Sequence, residues 1–173
     1  MTDRTALIIC DMLEDFTAPG APLEVPDARA IVPAIRERLE QARQDGTPVI
    51  YINDAHAPDD SEFSIWPPHA VADSPGAQVI EELAPGPGEH VISKTRYSGF
   101  YDTKLDATLQ DLGVNHIVLT GVVSNICIMY TAVDAHQRGY RVSVPEDCVA
   151  GLDPDDHAFA LRQITDVLKF AQT

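Results

Sequence analysis

Apolar runs alternate with polar, helix-periodic stretches along most of this chain. Five runs, near residues 5–10, 47–53, 89–93, 115–120 and 140–144, have the continuous apolar character of strands buried on both faces. Between them the spacing of apolar residues lengthens to three and four. In residues 27–45, Ile31, Ile35, Leu39 and Ala42 fall on one stripe behind Asp27, and Gly46 ends the pattern. Residues 102–112 carry Leu105, Leu109 and Leu112 on a stripe that stops at Gly113; a third helix fits 127–138, closing at Gly139, and a last one fits 155–170. Strands alternating with helices predict an α/β fold, a doubly wound and mostly parallel sheet with helices on both faces and right-handed crossovers. A chain of 173 residues makes one such domain, spanning 1–173, and no internal repeat competes with that organisation.

The alternation fails between residues 54 and 77, a stretch rich in Pro, Asp and Ser that contains Trp66-Pro67-Pro68. Loops longer than about 12–15 residues without regular structure are usually functional or disordered. Asp54, His56, Glu62 and His69 fall within sixteen residues here. Imidazole and carboxylate ligands suit Zn²⁺, Fe²⁺ or Mn²⁺ with positions left open, although a solvated loop would show the same residue types.

Three further residues sit where strands end. Asp11 follows Ala6-Leu7-Ile8-Ile9-Cys10, Lys94 follows Glu89-His90-Val91-Ile92-Ser93, and Cys127 closes the turn Gly121-Val122-Val123-Ser124-Asn125-Ile126 that follows Thr120. In open parallel sheets the ligand crevice lies outside the carboxyl ends of the strands, so residues far apart in sequence converge there. A thiol at the first turn of a helix meets oriented N–H groups that favour the thiolate. A carboxylate accepts the thiol proton, and an ammonium stabilises both charges. Taken singly, each has an ordinary structural reading: a packed cysteine, a capping Asp, a solvated Lys.

Charge and cysteine usage narrow the surroundings. Twelve basic against 27 acidic residues give a formal charge of -15, which disfavours nucleic acid and anionic membrane surfaces as partners. With no apolar stretch near ~20 residues and no secretory signal pattern, the chain reads as cytoplasmic. Cys10, Cys127 and Cys148 form neither an even disulfide framework nor a CxxC pair, which suits a reducing compartment, and Cys10 and Cys148 read as packing residues. His90, His116, His136 and His157 read as structural or surface positions.

Taken together, the strand ending in Asp11 with Asp15-Phe16 after it, Asp54-Ala55-His56, Trp66-Pro67-Pro68-His69, Lys94, Tyr97-Ser98-Gly99-Phe100 and Gly121 to Cys127 resemble the isochorismatase-like cysteine hydrolases, above all their nicotinamidase (pyrazinamidase) branch. The resemblance runs from about residue 5 to about residue 150. It implies a six-stranded sheet in a three-layer sandwich, a catalytic triad of Asp11, Lys94 and Cys127, and a cis peptide between Val122 and Val123 that turns an N–H toward a developing oxyanion. Val123 and Cys127 would supply the oxyanion hole. The nicotinamidase branch further implies a metal, zinc with iron or manganese as alternatives, held by Asp54, His56 and His69, with Glu62 matching a fourth ligand of some members. Phe16, Trp66 and Tyr97 would sandwich a flat ring, and the implied reaction converts nicotinamide to nicotinate and ammonia through a thioester.

The chain departs from that pattern at Leu13 and Glu14, where Gln and Asn are frequent, at Ser124-Asn125 in place of Thr-Asp, and at Val123 in place of Ala or Thr. Other small amides, of ureido acid, maleamate or biuret type, therefore stay open as substrates. Isochorismatase-type cleavage of a vinyl ether would leave Cys127 without a role, and a non-catalytic protein of the same fold would leave the whole constellation without one. A small-molecule substrate and a homo-oligomer are the expected partners, the latter by resemblance alone.

Overall fold

In the computed structural model, residues 4–171 are described. The sheet contains β1 (Thr5–Cys10), β2 (Val49–Asp54), β3 (His90–Lys94), β4 (His116–Val122), β5 (Arg141–Ser143) and β6 (Val149–Ala150). Their order is β3-β2-β1-β4-β5, with β6 also paired to β4, and every pairing is parallel. The apolar pattern revealed five of these strands. The sixth is a two-residue pairing, too short to leave a run in the sequence.

The helices are α1 (Glu14–Thr17), α2 (Ala28–Asp45), α3 (Leu105–Asp111), α4 (Met129–Gln137) and α5 (Pro154–Arg162). Successive strand residues point to opposite faces, and the core divides accordingly. Leu7, Ile9 and Tyr51 pack under Ile31, Ile35, Leu39 and Ala42 of α2. Ile8, Ile50, Ile52 and Leu119 pack on the other face under Leu105 and Leu109 of α3 and Ala132 and Ala135 of α4. Each such Leu or Ile, fully buried, contributes roughly 1.5–3 kcal/mol. Both faces of the sheet are therefore covered except at β3, read from its apolar run as buried on both faces, which lies at the sheet edge with His90, Val91 and Ser93 exposed.

Three boundaries differ from the periodicity. The second helical stripe starts at Leu105, not at 102: Lys104 stands at the N-cap without a side-chain bond, and the Thr103 hydroxyl accepts from Leu105 N–H at 3.2 Å, holding residues 103–105 in a turn ahead of the helix. The third begins at Met129, after a π turn over Ser124–Ile128, and the last stops at Arg162 and continues only as a π turn over Gln163–Val167. The long connection after β2 is also less irregular than expected. It carries short 3-10 turns at Ser61–Ser64, Pro75–Ala77 and Glu81–Leu83, and His56 N–H donates to Ala70 O while Ala72 N–H donates to His56 O. Among the described residues, no helix is long and apolar enough to cross a membrane.

The chain steps from β1 outward to β2 and β3, then returns to lay β4 on the opposite side of β1. That reversal opens a crevice at the carboxyl ends of β1 and β4.

Candidate active site

Asp11 leaves β1 with φ 53, in the left-handed region that an Asp tolerates better than most residues. Its N–H donates to Ile52 O at 3.1 Å, and its Oδ1 accepts the Asp54 N–H at 2.7 Å, so the carboxylate is built into the junction of β1 and β2. Its Oδ2 faces the other way, accepting from Lys94 Nζ at 2.9 Å and from the Cys10 thiol at 3.2 Å. Lys94, the last residue of β3, stands in register with Asp54. From there its ammonium also reaches Asp54 Oδ1 at 2.5 Å and Cys127 Sγ at 3.4 Å. All four groups are buried.

This packing sets the protonation states. Burial pulls the Lys94 amine down, but Asp11 and Asp54 overcome it and hold the ammonium well above the ordinary lysine value. Burial and the neighbouring Asp54 charge push Asp11 up, against the opposing pull of Lys94. Asp54 is pushed up by burial too, but Lys94 and His56 draw it below the ordinary carboxylate range overall. The two carboxylates thus differ in basicity, and Asp11 is the better proton acceptor.

Cys127 lies in the π turn between β4 and α4, not in the first turn of an α-helix. The reason is local: Ile126 and Ile128 N–H both donate to Val123 O, at 3.0 and 3.2 Å, which widens the turn before α4 can start. Gly121 enters it at φ 111, and a Cβ there would stand on the Cys10 carbonyl. The Val122–Val123 peptide is cis, as the resemblance implied.

A second cluster adjoins the first. His56 donates through Nδ1 to Asp60 Oδ2 at 3.1 Å, and His69 donates through Nδ1 to Pro67 O at 2.7 Å. Each ring therefore turns Nε2 inward, toward Asp54 Oδ2 at 3.7 and 3.9 Å. The ligand atoms of Asp54, His56 and His69 lie within 4.8 Å of one another. His56 Nε2 is buried without a hydrogen-bond partner, which ordinarily costs about 1–3 kcal/mol. Two imidazole nitrogens, a carboxylate, and outer partners that fix both rings fit a divalent cation. Asp11, Asp54 and Cys127 also lie within 4.8 Å of one another, but the Lys94 ammonium among them repels a cation. Glu62, expected as a fourth ligand, stands outside the compact trio; it faces the same space, its carboxyl raised by burial and by Asp54.

A narrow slot with a free volume of about 20 Å³, partly open to solvent, runs over these groups. Phe16, Leu23, Ile126 and Leu152 supply apolar lining with Trp66 and Tyr97, Asp54, Glu62 and His69 supply polar lining, and Val123 and Cys127 complete it. Trp66 Nε1 donates to the Tyr97 hydroxyl at 3.3 Å, and Phe16 meets the His69 ring edge-on at 5.5 Å between centroids. All three aromatic residues anticipated from the sequence thus reach the slot.

Several contributors were not anticipated. Asp60 orients His56 and also receives Arg96, a role that its spacing of four residues from His56 could have signalled. Asp15 accepts the Ala70 N–H at 2.8 Å and so fixes the loop beside His69. Leu23, Ile126 and Leu152 carry no chemical signal in the sequence at all. Cys10 is not merely a packing residue, since its thiol donates to the Asp11 carboxylate. Cys148 fits the packing description, its thiol pushed up to about 12 by burial.

Comparison with known proteins agrees with this geometry. The isochorismatase domain matches residues 5–173. An N-carbamoylsarcosine amidase from Thermoplasma acidophilum is 38% identical, with a TM-score of 0.88 over 97% of this chain and 94% of that one. A pyrazinamidase/nicotinamidase from Streptococcus mutans is 32% identical, with a TM-score of 0.90 over 96% and 98%. A pyrazinamidase from Pyrococcus horikoshii, solved in complex with zinc, is 31% identical, with a TM-score of 0.89 over 94% and 95%. With its parallel sheet, buried acid–amine–thiol group and adjoining ligand trio, the chain belongs to the isochorismatase family, among its amide hydrolases.

Proposed function

We propose that the protein hydrolyses the carboxamide of a small neutral aromatic amide, nicotinamide above others, with Cys127 as nucleophile. One observation carries the choice of substrate. Among the described residues, the slot is lined by aromatic and aliphatic side chains, an imidazole and two carboxylates, and by no lysine or arginine. A substrate bearing its own carboxylate, as an N-carbamoyl amino acid or a maleamate does, would meet Asp54 and Glu62, whose neighbouring cations, Lys94 and Arg96, are already ion-paired to these carboxylates. A flat uncharged ring stacks against Phe16, Trp66 and Tyr97.

In this reading Asp11, made more basic by its surroundings, takes the proton of Cys127, and Lys94 stabilises the thiolate at 3.4 Å. The thiolate adds to the carboxamide carbon, and the N–H groups of Val123 and Cys127 receive the oxyanion. Protonated Asp11 then gives its proton to the departing ammonia. It next accepts a proton from the water that opens the thioester, serving as acid and base in turn. Asp54, His56 and His69 would hold a divalent ion, zinc being the expected one, which when bound supplies a Lewis-acid contact for a ring nitrogen and so orients the ring. Lys94 is held too tightly by two carboxylates to leave this arrangement.

The test is ammonia release from nicotinamide by the zinc-, iron- or manganese-loaded protein, beside N-carbamoylsarcosine and maleamate at equal concentration. Nicotinamide turnover that is abolished in Cys127→Ala and strongly reduced in His56→Ala is the expected result. Preference for either carboxylated amide would overturn the substrate assignment, and undiminished turnover in Cys127→Ala would overturn the mechanism.

A further inference from the structure

Behind the nucleophile turn lies a polar pair that the proposed chemistry does not use. Ser124 is fully buried, directly after Val123 and three residues before Cys127. Its hydroxyl shares a 2.9 Å hydrogen bond with Nδ1 of His157, in the first turn of α5. That turn is fixed independently. Asp153 accepts from the N–H groups of Asp155 and Asp156 through Oδ1, at 2.9 and 3.1 Å, and His157 N–H donates to Asp153 O at 2.9 Å. Gly151 closes the remaining side so tightly that a Cβ there would come within 2.9 Å of both the Ser124 hydroxyl and His157 Cβ. A helix from the far end of the chain is thus clamped onto the turn that carries the thiol.

We propose that His157 is a positioning residue for hydrolysis: through Ser124 it holds the segment from Val123 to Cys127, and so the spacing between the thiol and the N–H groups that receive the oxyanion. It does not line the slot and touches none of the reacting atoms. Its leverage is geometric. A hydroxyl tethered one residue from Val123 and three from Cys127 resists rotation of the whole turn, and misplacement of reacting groups by about 1 Å can cost on the order of a hundredfold in rate.

This inference rests on the thiol-attack reading, and its experiment separates the two. His157→Ala, Ser124→Ala, the double variant and His157→Asn are compared with the unaltered protein. Ammonia release is divided by the Cys127 thiol titrated with iodoacetamide, and amide hydrogen exchange is followed over residues 122–128. In both single variants kcat per titrated thiol is expected to fall roughly ten- to a hundredfold with KM within about twofold, and the double variant to be no worse than either single. His157→Asn, whose side-chain amide reaches where Nδ1 stands, should recover most of the rate, and exchange over 122–128 should accelerate about tenfold in His157→Ala. Unchanged kcat per thiol with only a lower melting temperature would make the pair merely structural, as would losses that multiply in the double variant. If the unaltered protein hydrolyses no amide, the hydrolase reading has failed, and the exchange rates alone decide whether His157 holds the turn.

Discussion

Replacing Lys94 by Met takes away the ammonium that Asp11, Asp54 and Cys127 share, while keeping a long unbranched side chain in its place. The carboxylates of Asp11 and Asp54 then face one another, with oxygens no more than 4.8 Å apart. At an effective dielectric of about 20, two unit charges at that separation repel by about 3–4 kcal/mol. Breaking a buried ion pair by removing one partner costs about 3–5 kcal/mol, so the two estimates agree. For a domain of this size each kcal/mol moves the melting temperature by about 2–4 °C, and the variant should melt about 6–20 °C lower at neutral pH. The pH dependence has a definite sign. Asp11 already binds its proton more tightly than an unfolded Asp, and without Lys94 it binds it more tightly still. A group raised on folding contributes stability that is present below its unfolded value and is lost as pH rises through its folded value. The gap between variant and wild type therefore narrows on acidification. Thermal melts from about pH 8 to about pH 5, with a chelator so that no cation substitutes for the ammonium, read this directly. A gap below about 2 °C at the alkaline end, or one that widens as pH falls, would refute the electrostatic account of Lys94.

Other perturbations have equally definite outcomes. His56→Ala removes a nitrogen that has no other partner, and elemental analysis after dialysis should show the bound divalent metal falling well below the wild-type content. Asp60→Asn weakens the hold on His56 and should lower metal affinity about ten- to a hundredfold in a competition titration with a chromogenic chelator. Asp60 is also drawn from 3.8 to about 2, first by the Glu62 N–H and then by His56 and Arg96. A depressed carboxylate contributes stability above its unfolded value and loses it as pH falls through the folded one, so urea midpoints of wild type and Asp60→Asn should converge between about pH 4 and pH 2. Gly121→Ala forces a Cβ onto the Cys10 carbonyl at φ 111 and should cost at least about 2 kcal/mol in urea unfolding.

The acid, amine and thiol were legible in the sequence because each follows an apolar run, and parallel strands deliver their carboxyl ends to one edge. Asp54 and His69 were legible as residue types but not as geometry. Nothing in their spacing says that Asp54 gives one oxygen to Lys94 and turns the other toward both imidazoles. Glu62 matched a pattern at the right distance along the chain, yet a 3-10 turn at Ser61–Ser64 leaves its carboxylate outside the trio. The start of α4 was misplaced because a π turn and an α-helix share their apolar residues and differ only in which carbonyl receives the N–H groups. Cys10 illustrates a further limit. Its alternation places it on the core face beside Ile8, and only the reversal of φ at Asp11 brings the carboxylate back within reach of its thiol.

Asp11 closes the β1–β2 junction with its own side chain, where a backbone carbonyl would ordinarily accept the Asp54 N–H. The group proposed to move protons is therefore also a rung of the sheet. Such an enzyme has no partially unfastened form in which the scaffold survives and the base has drifted. On heating or in denaturant, loss of turnover and loss of the β-sheet signal should trace one curve, and the protein's working range should end where its fold does.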